Sequence, residues 1–343
     1  MKSLFFMLNT TACNNSCAHC YVPQHRNKRF KTTQEIIAIF EILSRLREKP
    51  LHAENITLYF HDEPTLHPDI LHILNLVQQY NFSYVRGLMT NGSGIALRPN
   101  GTTIAKEIYT LGTTMACMSF FGNEQEHDMF AGRKGAYNNL ITAIHICKKI
   151  GFAIHINLFI TPQNLLSLSK TEHFLRGISD SFNFSVYAHT DRTDKNASIL
   201  LQSHHKEYLH TLDYNIENPR LQLKTQKEWF DMVESNECMM PYLGTSEEEL
   251  ASEVTDFIEF DNKLYDSSNI FTSSFIHSNL YEPDLAQKIT NNHTSEGTRT
   301  YNELLKEFPK KGADFMKAYL DMQDNSLWTF WNLIDRYFYY RTK

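Results

Sequence analysis

From residue 3 to about residue 190, short apolar runs alternate with amphipathic stretches. The runs LFFML (4–8), ITLYF (56–60), VRGLMT (85–90), TMACMSF (114–120), AIHINLFI (153–160) and FNFSVYA (182–188) have strand length and carry many β-branched and aromatic residues. The stretches between them repeat apolar positions at helical spacing. TTQEIIAIFEILSRLRE places Thr32 three residues before Glu35, a capping-box spacing, and sets Ile36, Ile37, Phe40 and Leu43 on one face. HPDILHILNLVQQY has Pro68 in its expected first turn and ends before Asn81. NNLITAIHICKKIG closes on Lys148, Lys149 and Gly151, as a helix C-terminus does. Strand–helix alternation predicts an α/β fold with a parallel sheet. Six strands, short of eight, predict a partial (β/α)6 barrel of TIM type over residues 1–195, with its site at the C-terminal ends of the strands.

After about residue 193 the pattern changes, and residues 196–343 are expected to form a small mixed C-terminal cap. TDKNASILLQSHHKEY is polar, and no βα rhythm follows it. DFIEFDNKLYDSSNIF predicts a hairpin with Asp261-Asn262 at its turn. From Tyr301 onward the pattern is helical, and LWTFWNLIDRYFYYR predicts a packed helix covering the barrel, or an interface. There is no internal repeat and no low-complexity tract.

With 343 residues and 42% hydrophobic content the chain has material for a substantial core. A net charge of -6 supplies no basic field for nucleic acid or anionic lipid, so neither is an expected partner. The opening apolar run is short and lacks a small-residue cleavage site, which makes it a first strand and not a signal peptide. No run reaches the roughly 18 apolar residues of a membrane span, so a soluble, cytoplasmic protein is expected. Six cysteines are too sparse for a secreted disulfide framework.

Three of those cysteines lie within CNNSCAHC, as Cys13, Cys17 and Cys20, in the loop after the first strand. Thiols at that spacing are able to curl around one metal centre. Structural zinc takes four protein ligands, and the nearest candidate for a fourth, His19, sits between Cys17 and Cys20, where it would have to share a direction with its neighbours. A [4Fe-4S] cubane with three cysteines instead leaves one iron open to an exogenous ligand.

CNNSCAHC resembles the C-x3-C-x-aromatic-C loop of radical S-adenosylmethionine (SAM) enzymes, with His19 in the aromatic place. In that family the open iron chelates SAM, and reductive cleavage releases a 5′-deoxyadenosyl radical that abstracts a substrate hydrogen. ITLYFHDEPTLHPDI is similar to the second strand and GGEP-type motif of the family, here His61-Asp62-Glu63-Pro64, with His61 and Asp62 in place of the two glycines. The resemblance implies that Asp62 and Glu63 lie at the SAM amino group, where a charged hydrogen bond is about twice as strong as a neutral one. LMTNGS resembles the third-strand end and implies Asn91 near the cofactor. CMSFFGNEQEHDMFAGRKGAYNNLITAI and INLFITPQN resemble the fourth and fifth strands, and imply cofactor contacts from Ser119 and Asn157. The match covers roughly residues 4–165 in order.

Plainer readings stand beside these. Glu63 also suits a solvent-facing acid at a helix start. Ser119 and Asn157 also suit partners for neighbouring backbone groups. Cys117 and Cys147 suit buried small hydrophobes, and the histidines show no convergent metal spacing. Beyond the barrel, NECMMPYLG, the hairpin and FIHSNLYEPDL resemble a SPASM-type extension without its cysteines. Ser267 or Ser268 stands where a ligand belongs, so one [4Fe-4S] cluster is expected. Cys238 is either a leftover thiol or a hydrogen donor of the kind some radical SAM epimerases use. Tyr187 and Arg192, near the end of the sixth strand, are candidate substrate contacts, Arg192 through bidentate pairing with a carboxylate.

The expected function is reductive cleavage of SAM with hydrogen abstraction from a peptide, as in maturases of ribosomal peptides, with flavodoxin or ferredoxin as electron donor. The alternatives are an epimerase or dehydrogenase of a sugar or antibiotic intermediate, and a non-catalytic iron-sulfur or zinc protein.

Overall fold

The structure is a computed structural model that describes residues 3–10, 13–20, 29–48, 55–186, 198–209, 222–235, 254–260, 263–266, 276–279, 281–282, 301–330, 332–334 and 337. Strand and helix alternate in the predicted order. They are β1 (Ser3–Asn9), α1 (Thr33–Glu48), β2 (Asn55–His61), α2 (Ile70–Gln79), β3 (Ser83–Tyr84), β4 (Gly87–Met89), α3 (Ser93–Leu97), α4 (Gly101–Thr110), β5 (Met115–Phe120), α5 (Glu124–Ala131), α6 (Ala136–Ile150), β6 (Ala153–Ile160), α7 (Leu168–Ile178) and β7 (Ser181–Val186). β1, β2 and β3 pair in parallel, as do β4, β5, β6 and β7. The result is a partial TIM-type barrel.

The third predicted strand, 85–90, narrows to β4, and a short strand that was not predicted, β3, precedes it. β3 pairs with β2, β4 pairs with β5, and the chain changes sides at Val85 and Arg86. The Val85 amide donates to the Leu58 carbonyl at 2.9 Å, and the Arg86 carbonyl accepts from Met115 at 3.3 Å. One segment thus joins two sheets by turning its hydrogen-bonding edge, a change that leaves the apolar pattern unbroken.

Side chains alternate across each strand. Phe6 and Leu8, Ile56, Leu58 and Phe60, Ala116 and Met118, and Ile154, Ile156 and Leu158 are buried against Ile36, Phe40, Leu43, Ile73, Ile104, Leu140 and Ile144 of the helices. Burial of each large apolar side chain contributes about 1.5–3 kcal/mol. The opposite parity, including Tyr59, Met89, Cys117 and Ser119, faces the barrel interior.

Helix ends follow their local chemistry. The capping box forms as expected, with the Thr32 amide donating to the Glu35 carboxylate at 2.7 Å and the Glu35 amide donating to Thr32 Oγ1 at 3.2 Å. α6 ends at Gly151, whose φ of 116° is open to glycine. α2 begins later than the pattern suggested. Pro64–Leu66 forms a separate 3-10 turn, Asp69 is the N-cap, and Pro68 precedes the helix.

In the second half, α8 (Lys206–Leu209), β8 (Lys224–Thr225) and α9 (Gln226–Glu234) precede β9 (Val254–Phe260), β10 (Lys263–Asp266) and β11 (Ile276–Asn279). β9 and β10 form the predicted antiparallel hairpin, Phe260 opposite Lys263. β9 also pairs in parallel with β1, so the hairpin extends the barrel sheet in the order β11-β10-β9-β1-β2-β3. α10 (Tyr301–Tyr319), α9 and the C-terminal aromatics make a second core of Trp229, Phe308, Met316, Trp328, Phe330 and Tyr337, among others. Of the stretch predicted to cover the barrel, Leu327 joins the barrel core, while Trp328, Phe330, Leu333, Ile334 and Tyr337 belong to this second core. Leu327 and Trp328 form β12, paired with β8. The Trp229 indole donates to the Trp328 carbonyl at 2.8 Å, which satisfies the one polar atom of a wholly buried ring. No helix among the described residues is long and apolar enough to cross a membrane.

Gly92 ties the third-strand turn to α6. Its φ is 81°, and a Cβ there would sit 2.8 Å from that of Ala143. Gly92→Ala is expected to lose about 2–4 kcal/mol of stability from backbone strain plus overpacking. Urea unfolding measures the loss, and an unchanged midpoint would disprove this account.

Candidate cofactor site

The cysteine loop is held by the end of α5. The Ser16 amide donates to the Ala131 carbonyl at 2.8 Å and the Ala18 amide to the Phe130 carbonyl at 2.9 Å. Carbonyls in a last helical turn lack intrahelical partners, and here the loop supplies them. Gly132, at φ 63°, lets the loop approach, since a Cβ there would lie 2.7 Å from the Ser16 carbonyl oxygen. Arg133 Nε then donates to Asn15 Oδ1 at 2.6 Å, and its guanidinium also donates to Ser93 Oγ at 2.8 Å. From the other side, Asn91 Nδ2 donates to Cys13 Sγ at 3.2 Å and to Asn14 Oδ1 at 3.0 Å.

Cys13, Cys17, Cys20, His19, Asp62, Asn91 and Ser119 all line one cleft at the C-terminal ends of the strands. Asn15, Tyr59, Met89, Thr90, Cys117, Phe121 and His127 complete the wall. The His19 ring packs among Phe121, Phe130 and Phe159, at centroid distances of 5.4, 5.4 and 4.4 Å. Asp62 takes the left-handed conformation, φ 69°, so the turn that glycine enters freely is made here by one of the few other residues that tolerate it.

Glu63 is not on the cleft surface but wholly buried beneath it. Its carboxyl accepts from Thr90 Oγ1 at 2.6 Å, from Thr65 Oγ1 and from the Asn91 amide. Burial raises its pKa while these donors oppose the rise. Glu63 therefore ties the second-strand turn to the third-strand turn, and the solvent-facing reading is excluded. Asn157 lies on the inner face of β6, the register partner of Ser119. Cys117 and Cys147 are both buried, as expected, and Cys117 also lines the cleft. Tyr187, Arg192, Cys238, Ser267 and Ser268 lie outside the described residues.

Burial pushes the Cys13 thiol up to about 11, with the charges of Glu63 and Asp62 adding to it. Burial and the neighbouring Cys13 and Cys20 push Cys17 up to about 12. These thiols stay protonated at neutral pH until a metal displaces the protons. Among the described residues no three His, Cys, Asp or Glu side chains converge on a single-ion position. Three thiols lining one cleft suit a cubane, in which each cysteine takes a different iron.

Several contributors escaped sequence reasoning. Asn15, Thr90 and Arg133 are polar residues whose partners lie far along the chain, and Thr65 bonds the buried Glu63 two residues before it. Arg133 and Asn15 are 118 residues apart. His127 and Phe121 sat in plain view, but a helical histidine carries no signal of the cleft it faces.

Residues 8–175 match the model of the Radical SAM superfamily. Among curated proteins, the chain is 25% identical over 159 residues to an Fe-coproporphyrin III synthase of Methanosarcina barkeri, covering 46% of this chain and 36% of that one. It is 28% identical over 163 residues to an AdoMet-dependent heme synthase of Oleidesulfovibrio alaskensis, covering 46% and 38%. The chain thus matches well under half the length of these relatives. Among solved structures, anSMEcpe with bound AdoMet superposes with a TM-score of 0.56 at 14% identity, over 90% of this chain and 87% of that one. Streptococcus suis SuiB bound to precursor peptide SuiA superposes with a TM-score of 0.51 at 12% identity, over 89% and 73%. At these identities the structures establish the shared fold.

His127 supplies a pH test of the cleft wall. Its Nδ1 accepts from the Phe121 amide at 3.3 Å, and burial lowers its pKa from 6.5 to about 4. Below pH 6.5 the unfolded chain binds a proton that the folded chain refuses. Stability is therefore complete above pH 6.5 and falls as pH drops towards 4, by about 3 kcal/mol in all. His127→Asn keeps an acceptor but does not titrate, and is expected to flatten that decline in urea unfolding of the cluster-free protein. An equal acid decline in both proteins rules out His127 as its source.

Proposed function

We infer that this chain, whose residues 8–175 match the Radical SAM superfamily, is an enzyme that abstracts hydrogen from a peptide substrate. The family's cofactors are a [4Fe-4S] cluster and SAM. The observation that carries the reading is the meeting, in one cleft, of the three cysteines with His19, Asp62, Asn91 and Ser119 from four separate strand ends. Cys13, Cys17 and Cys20 would hold the cluster, and Asp62, Asn91, Ser119, Asn157 and His19 would face SAM. When bound, the pair supplies a 5′-deoxyadenosyl radical after one electron arrives from a donor of the flavodoxin or ferredoxin class.

The chain's own residues supply position and shelter. Asn91 donates to Cys13 Sγ, and such hydrogen bonds to sulfur tune the potential of a cluster. Arg133 and the last carbonyls of α5 fix the loop, and the Phe121, Phe130 and Phe159 rings exclude water from around His19. Glu63 keeps the two turns together from below.

A peptide is favoured over a tetrapyrrole or a sugar by the extent of likeness. anSMEcpe bound to AdoMet and a peptide superposes over 99% of this chain and 96% of its own, with a TM-score of 0.53. The proteins named for heme synthesis match 46% of this chain. The C-terminal half is thus included in the first likeness.

Anaerobic reconstitution with iron and sulfide is expected to give a brown protein that releases 5′-deoxyadenosine from SAM under a strong reductant. Alanine at Cys13, Cys17 or Cys20 is expected to abolish both the cluster absorbance and the product. A reconstituted protein that binds SAM and never cleaves it refutes the enzymatic reading, and one that takes up only zinc refutes the cluster.

A further inference from the structure

Two polar rows cross the inner face of the barrel wall. In the lower row Cys117, His155 and Ser181 are register partners on β5, β6 and β7. In the upper row the partners are Ser119, Asn157 and Asn183. The lower row is closed, with His155 Nδ1 and Ser181 Oγ 2.8 Å apart. The upper row is open. Among the described residues its three side chains make no hydrogen bond to one another or to any neighbour, and Asn183 Oδ1 is buried with no partner.

Asn183 belongs to the inner face. Phe184, one residue on, is buried in the helical core, and Phe182 lies under the Arg176 guanidinium of α7, 5.5 Å from its ring centre. Alternation turns the residue between them towards the interior. A buried acceptor left without a partner costs about 1–3 kcal/mol, and a native chain keeps such a group where something else needs it. Ser119 lines the cleft beside the cysteines. Asn183 stands two strands further along the wall, about 10 Å away at the usual strand spacing.

We propose that Asn183, the register partner of the cofactor-facing Asn157, is the substrate-binding end of this row and that it takes an amide group of a peptide. This deepens the function inferred above and rests on it for the identity of the substrate. The amide class follows from the donor and acceptor inventory. A carboxamide presents an acceptor on one arm and donors on the other. Turning the Asn183 side chain over would bury a donor in place of the acceptor. A peptide amide carries both complements, so it satisfies either orientation. Ser119 and Asn157 are left to the cofactor, and Asn183 reads the substrate.

The test uses the reconstituted protein with SAM, as wild type, Asn183→Leu and Asn183→Val, the second being smaller and a good strand former. Removing an unsatisfied acceptor is expected to raise the unfolding midpoint of both variants. A mixed-sequence pool of N-acetylated tetrapeptide amides is expected to raise the melting temperature of wild type and not of the variants. Lower midpoints in both variants would show that Asn183 is satisfied in the fold and overturn the proposal. An equal peptide shift in all three proteins, no shift in wild type, or a wild-type shift with mixed hexoses in place of peptides also overturns it. Absence of 5′-deoxyadenosine from wild type defeats the enzymatic reading instead, and the midpoint comparison still decides whether Asn183 is an unsatisfied acceptor.

Discussion

Two backbone hydrogen bonds, from Ser16 and Ala18 to the carbonyls that end α5, decide where the cysteines of this protein stand. A loop carrying three thiols has no apolar periodicity to seat it, and its own backbone groups need partners. The end of a helix needs donors of the kind the loop offers. Gly132 makes the approach possible, and Arg133, the next residue, reaches back to Asn15. The loop is thereby attached to the fourth βα unit and not only to the first strand that precedes it. Any displacement of α5 moves the thiols.

Beneath the loop, Glu63 performs the same service for the other side of the cleft. A wholly buried carboxyl is costly unless its lone pairs are engaged. Thr65, Thr90 and the Asn91 amide engage them, which locks the turn after β2 to the turn after β4. Asn91 is then held by its backbone to Glu63 and by its side chain to Cys13. Three turns from three strand ends are thus braced by one chain of polar contacts. The cleft keeps its shape through hydrogen bonds, while the strands below it keep theirs through apolar burial.

Much of this was visible in the residues, for reasons that are local. The capping box at Thr32 and Glu35 formed because its partners lie within one helical turn. The strands appeared where apolar runs are bounded by breakers, since burial on one face and exposure on the other leave an alternating trace. The cysteine loop was legible because ligand spacing within eight residues is itself a pattern. The short strand β3 before β4 was not, because two residues are too few to show an alternating trace. The pairing of β9 with β1 was not either, because it joins positions about 250 residues apart and both strands are plausible in many sheets.

The sequence by itself determined the class of the fold, the motif of three thiols, and the turn where Asp62 replaces glycine, since each is written in residue type and short-range spacing. Only the tertiary structure decided which residues meet. It put Glu63 under the cleft and Asp62 on it, placed Cys117 beside the cysteine loop, brought Arg133 to Asn15, and left the Ser119, Asn157 and Asn183 row open. Strand register and loop docking are set by pairings remote in the chain. Whether a polar side chain is a brace, a cofactor contact or an unsatisfied acceptor depends on what stands opposite it, and one-dimensional order does not record that.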